Sequence, residues 1–170
     1  MLLAAVSVVA GVPYCVAADD ARRPPSEALP TTLSLPAGVQ LGDLQEARVE
    51  GVVDGDTVDL LIDGVPVRVR FYGVDTPERG DRCYREAVDR GATLMGSRVL
   101  LLPDAREEDP FGRLLRYVYV PDGVSVDATL VAEGFGLAWR QDGQYRDEII
   151  ALEEEARSAG RGCLWGAEGG

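Results

Sequence analysis

The stretch from Ala47 to Val74, ARVEGVVDGDTVDLLIDGVPVRVRFYGV, constrains the fold more than any other part of the chain. ARVEGVV alternates like a strand, Asp54-Gly55 breaks it, and TVDLLI resumes the apolar run. Asp63-Gly64 is a two-residue hairpin signal, and VPVRVRFYGV returns as a third strand. Three successive antiparallel strands make a meander. What needs explaining is that carboxylates (Asp54, Asp56, Asp75, Glu78) cluster at the ends of these strongly apolar strands.

The remaining chain supplies helices and two more strands. CYREAVDRGATLMGS spaces Ala87, Leu94 and Met95 at helical intervals, with Gly91 as its weak point. RVLLLP reads as a fourth strand, AREEDPFG as a polar loop, and RLLRYVYV as a fifth strand. Asp127 is expected to cap a short helix, ATLVAEGF. A last helix, YRDEIIALEEEARSAG, aligns Ile149, Leu152 and Ala156 and stops at Gly160. The expected fold class is α+β, mainly β: a five-stranded OB-type barrel flanked by about three helices. Tyr117 and Tyr119 on the fifth strand read as structural.

Residues 1–17, MLLAAVSVVAGVPYCVA, are apolar and uncharged, which suits a signal-like segment better than a membrane span. Residues 18–44 hold four prolines and no sustained period, and read as a linker. The domain is expected over 45–168. Export is therefore expected, with no stable membrane span in the mature protein. Removing Cys15 with the leader leaves Cys83 and Cys163 as an even pair, a candidate disulfide beside two free thiols as the alternative.

Composition narrows the chemistry. The chain of 170 residues has no His and no Lys, so all 17 basic residues are Arg. That removes imidazole as base or ligand, and zinc chemistry of the Cys/His kind. Any anion must be held by guanidinium, whose planar fork matches phosphate. A net charge of -12 argues against a broad basic track for a polyanion. From Ala47 onward, 15 arginines face 24 carboxylates, and two or three phosphate contacts are expected, with Arg140 as a candidate beside the main pocket.

In VRVRFYGV, alternation sends Val67, Val69 and Phe71 to one face and Arg68 and Arg70 to the other. Arg70 and Asp75 fall on opposite faces of a regular strand, but Gly73 offers a bend that unites them. Carboxylates held at strand ends beside tight turns suit a hard cation such as Ca²⁺. The ligand spacing of an EF-hand is absent.

Three motifs, DGDT, R-x4-D-T-P-E and D-x-[YF]-G-R, occur here in order as Asp54–Thr57, Arg70–Glu78 and Asp109–Arg113, followed by a closing GCLW. Together they resemble the staphylococcal nuclease-like (thermonuclease) family over roughly residues 47 to 165. The resemblance implies a monomeric Ca²⁺-dependent endonuclease that cleaves DNA and RNA and leaves 3′-phosphate ends. It implies Asp56, Asp75 and Thr76 as metal ligands, Glu78 as the residue that takes a proton from or orients water, and Arg70 and Arg113 as a phosphoryl clamp. Trp139 and Tyr145 would substitute for the family's stacking tyrosines, with a core or lid role for Trp139 as the alternative. Only RGDR separates Glu78 from Cys83, where the archetype carries a long lysine-rich loop. The rival reading is a non-catalytic OB-fold module that binds nucleic acid or protein.

Overall fold

The expected alternation does build the barrel. In the computed structural model, which describes residues 31–166, β1 (Gln45–Asp54), β2 (Thr57–Ile62) and β3 (Val65–Phe71) form the meander. A two-residue strand, β4 (Val74–Asp75), follows, then α1 (Tyr84–Met95), β5 (Arg98–Leu102) and β6 (Leu114–Tyr119). The chain closes with α2 (Val126–Ala132), β7 (Leu137–Ala138), α3 (Arg146–Ser158) and the short α4 (Gly162–Trp165). The strands join in the order β1-β2-β3-β6-β5 as a closed barrel. Closure pairs every barrel strand on both sides, which is how barrels manage exposed edges.

Only the β3–β6 contact is parallel, and it pairs Arg70 with Leu115. The antiparallel ladders β1–β2 and β2–β3 keep the meander in register, and Thr57 lies opposite Arg70. Val58, Leu60, Val69, Phe71, Leu101 and Val118 are buried in the barrel interior, none more than 1% exposed. Full burial of such side chains is worth roughly 1.5–3 kcal/mol each, the main favourable term in the fold. Tyr117 and Tyr119 are also fully buried, as their strand position predicts.

Two expectations need correction. Residues from Thr31 to Leu44 are not a tether: Leu33 is only 3% exposed within the core, and the Thr31 carbonyl accepts a hydrogen bond from the Ser125 amide. This segment carries an apolar set (Leu33, Leu35, Val39, Leu41) that lacks a regular period because it packs as irregular backbone. The signal-like segment 1–17 and the first part of the linker, 18–30, lie outside the described residues. Asp127 is not the cap of α2 either. Ser125 takes that position, its hydroxyl accepting from the Ala128 amide.

Asp127 instead ties elements together. Its fully buried carboxylate accepts the Gly73 amide at 2.8 Å and the Val118 amide at 2.9 Å. Burial pushes its carboxyl up to about 6, while the amide donors pull the other way. Gly73 is where the chain leaves β3 for β4, and a Cβ there would stand 2.4 Å from Ile149 Cδ1. A side chain at this position would require Ile149 of α3 to shift, so glycine suits the close packing at the bend. Beyond it, β4 pairs with β7 in a separate two-stranded ribbon. Among the described residues, no helix is long and apolar enough to cross a membrane.

Candidate active site

Asp56 sits in the turn just before β2, and Thr57 opens that strand opposite Arg70 near the end of β3, because the turn after Asp54 returns the chain there. The Phe71 amide donates to the Asp56 carbonyl at 2.8 Å and locks that return. Gly55 and Gly91 meet where α1 crosses the turn, and a Cβ on Gly91 would lie 3.3 Å from the Gly55 carbonyl oxygen. The residue that weakens the helix on paper is what lets it sit against the turn.

Arg70 occupies the middle of the site and is only 9% exposed. Its Nε lies 3.1 Å from Asp56 Oδ1, and its Nη2 lies 2.7 Å from Asp75 Oδ1. Its Nη1 donates to the carbonyls of Phe71 and Val74, which fixes the guanidinium against the bend. Gly73 thus unites Arg70 with Asp75. Asp56 Oδ2 accepts both the Thr76 amide, at 2.7 Å, and the Thr76 hydroxyl, at 2.9 Å. Asp56, Arg70, Asp75 and Thr76 therefore form one hydrogen-bonded cluster.

Arg113 approaches from the loop before β6. Asp109, four residues earlier, accepts its Nε at 2.6 Å and its main-chain amide at 3.0 Å. Arg113 Nη1 reaches the Thr57 hydroxyl at 3.4 Å, and that hydroxyl donates to Asp56 Oδ1 at 3.2 Å. The second arginine is coupled to the cluster through Thr57. Sequence reasoning missed Thr57 as a connector, although it is the last residue of DGDT. Asp109 stood in its motif without a role, and here it orients Arg113.

Glu78 is exposed on the loop after β4. A tight turn holds its backbone: the Glu78 amide donates to Asp81 Oδ2 at 3.3 Å, and the Asp81 amide donates to the Glu78 carbonyl at 2.9 Å. Its carboxylate makes no ion pair among the described residues. A disulfide between Cys83 and Cys163 then closes the loop at the start of α1, as the even cysteine count suggested.

The stacking residues divide. Trp139 is half-buried beside the cluster, with its ring centroid 6.0 Å from the Arg70 guanidinium carbon and 5.9 Å from that of Arg106. Its indole N–H donates to Asp142 Oδ1 at 2.8 Å. Asp142 also accepts the Tyr72 hydroxyl and a two-pronged contact from Arg106, which hold its carboxyl down at about 2. Tyr145 is not at the site surface. It is 7% exposed, edge-on to Tyr117 at 4.8 Å, and its hydroxyl donates to the Ser34 carbonyl. Arg140 is not a spare cation, since buried Glu153 accepts it at 2.9 Å. Both corrections share a cause: neighbours distant in sequence claim these side chains.

Two carboxylates, Asp56 and Asp75, share the single guanidinium of Arg70, so one negative charge stays uncompensated in a partly buried pocket. Burial pushes the Asp56 carboxyl up to about 6 despite the opposing pull of Arg70 and the Thr76 amide. A carboxylate so placed gains from a further positive charge. Among the described residues no group of three His, Cys, Asp or Glu gathers as a ready cation site. A cation here would complete its shell with the Thr76 carbonyl and water, which suits Ca²⁺ and its flexible oxygen coordination. The residues present fit that ion.

Comparison with known proteins agrees with this geometry. The family described as staphylococcal nuclease homologue matches residues 68–167. Protein ParB of Escherichia coli is 36% identical over 127 residues, covering 69% of this chain and 71% of its own length. An uncharacterized endonuclease of Escherichia coli O157:H7 is 33% identical, covering 69% of this chain and 75% of its own. A micrococcal nuclease of Shigella flexneri is 32% identical, covering 69% and 72%. With its closed five-stranded barrel and its Arg70-centred acid cluster, the chain belongs to the staphylococcal nuclease family.

Proposed function

We propose that the protein is a calcium-dependent endonuclease that hydrolyses phosphodiester bonds of DNA and RNA and leaves 3′-phosphate ends. The observation that carries this reading is Arg70 held between Asp56 and Asp75 at a strand end, with Arg113 coupled to the same cluster. A binding-only module has no use for that arrangement. Relatives whose names give an endonuclease and a micrococcal nuclease support it.

Asp56, Asp75 and the Thr76 carbonyl would hold Ca²⁺. When bound, the ion supplies charge that polarises a phosphoryl oxygen and favours deprotonation of nearby water. The chain's own residues do the rest. Arg70 and Arg113 place guanidinium donors on the phosphoryl oxygens, where charge grows towards the five-coordinate transition state. Glu78, exposed and without an ion pair among the described residues, is free to take a proton from water or to orient it. Trp139, anchored through Asp142, forms an aromatic wall beside Arg70. Export belongs to the same proposal, because a disulfide persists in oxidising compartments and the first seventeen residues are signal-like.

The test is digestion of single-stranded DNA and RNA by the purified protein with Ca²⁺ and then with excess chelator, followed by end-group analysis. Cleavage with Ca²⁺, its loss on chelation, and 3′-phosphate products are expected. Undiminished cleavage in chelator, or 5′-phosphate products, sinks the reading.

A further inference from the structure

In this acidic protein the arginines are nearly all spoken for. Arg68 is held by Asp59, Arg90 by Glu133 and Arg116 by Glu107. Arg79 and Arg85 differ. Both are exposed, and among the described residues neither guanidinium makes an ion pair or a hydrogen bond. The Arg79 guanidinium carbon lies 5.9 Å from the centre of the half-buried Tyr84 ring.

Position gives this pair its meaning. Arg79 directly follows Glu78, and Tyr84 and Arg85 form the first turn of α1. The loop between them is pinned at both ends. Thr76 is bonded to Asp56, and Cys83 is bonded to Cys163. Two unpaired guanidiniums and an aromatic ring are therefore presented by ordered backbone, beside the proposed water-activating carboxylate. Ordering costs that oppose binding are already met in such a corner.

We propose that Arg79, Tyr84 and Arg85 form an anchoring subsite for the single-stranded nucleic acid as it leaves the cleavage site on the Glu78 side. The arginines take backbone phosphates through planar, charge-assisted contacts, and Tyr84 offers a face to a base. The carboxylates of Asp81, Glu86 and Asp89 lie in the same segment and confine the attraction to this corner. The subsite rests on the nuclease reading for its purpose, but its binding is measurable without turnover.

The experiment uses two backgrounds. In Glu78→Gln protein with Ca²⁺, the affinity for a fluorescein-labelled ten-base oligothymidylate is measured by anisotropy across a salt series. In the Glu78 protein, kcat and KM are measured on the unlabelled strand. Arg79→Ala/Arg85→Ala should weaken binding about tenfold and flatten the log affinity–log salt slope by about 1.4, since each single-strand phosphate contact contributes about 0.7. KM should rise with kcat within about twofold, and Arg79→Lys/Arg85→Lys should retain the slope. If the double alanine variant melts early, the two single alanine variants decide, each with half the slope change. Unchanged affinity and slope overturn the subsite, as does a fall in kcat at unchanged affinity. Absence of cleavage by the parent protein would sink the nuclease reading alone, because the anisotropy series still decides the subsite.

Discussion

At the residue scale, the two arginines that look equivalent in sequence differ in what they hold. Arg70 is 9% exposed and bonds two carboxylates and two carbonyls. Arg70→Ala should abolish measurable cleavage and also lower stability by about 3–5 kcal/mol, because it leaves Asp56 as a buried, unpaired charge. Arg113 is the cleaner probe, since its partner Asp109 lies in its own loop. Arg113→Ala should lower kcat by about two to three decades, as for loss of one transition-state donor, while lowering stability less than Arg70→Ala because Asp109 keeps the Phe111 and Arg113 amides. Arg113→Lys should recover only part of that, for want of the planar fork. Near-parental kcat in the alanine variant would remove Arg113 from the clamp.

Asp142 makes a pH prediction at the same scale. Arg106, Trp139 and Tyr72 favour its ionised form, and its folded carboxyl sits at about 2, below the ordinary 3.8. A depressed acid stabilises the fold above its unfolded value and loses that contribution as pH falls from about 4 through 2. Asp142→Asn should therefore flatten the stability–pH curve across that window. Denaturant midpoints at pH 2, 3, 4 and 6 check this; an unchanged acid limb would show that Asp142 contributes nothing to it. Asp127, pushed up by burial, acts with the opposite sign: its ionisation opposes folding above about 6 and is relieved as pH falls.

At the element scale, the short C-terminal helix does more than end the chain. Cys163 in α4 joins Cys83 at the start of α1, and the Leu164 amide donates to the Gly134 carbonyl. A Cβ on Gly162 would stand 2.0 Å from the Glu133 carbonyl oxygen, so α4 lies directly on the turn leading into β7. The crosslink spans 80 residues. In the chain-entropy account such a loop closure is worth roughly 4 kcal/mol. Cys83→Ser/Cys163→Ser should lose about that much in denaturant titration, and free-thiol titration of the unreduced parent should find neither cysteine. Two reactive thiols would contradict the pairing.

At the scale of the whole molecule, charge governs how substrate is met. A domain with 24 carboxylates against 15 arginines from Ala47 onward, most of the arginines paired among the described residues, leaves few free guanidiniums to spread along a duplex. Arg70, Arg113 and the Arg79–Arg85 corner amount to about four phosphate contacts, so the salt slope for a single strand should be about −3. The value exceeds the two or three contacts read from the sequence because Arg140 leaves the count and the corner enters it. A titration of the Glu78→Gln protein giving a slope for six or more contacts would reveal a binding surface elsewhere.

The sequence alone determined the barrel meander, the hairpin at Asp63-Gly64, the three motifs and the acid–arginine set, because each depends on local period, turn chemistry or fixed spacing. It also supplied the even cysteine pair, though not the bond. What only the tertiary structure decided were contacts between residues far apart in the chain. Asp127 reads as a cap until Gly73 and Val118 claim its carboxylate. Tyr145 reads as a stacking ring until Ser34 and Tyr117 enclose it, and residues 31–44 read as a tether until Leu33 finds the core. Period and spacing report on neighbours within a turn or a strand. Which side chain is spent on packing, and which stays free for chemistry, depends on partners that the closed barrel brings together from across the chain.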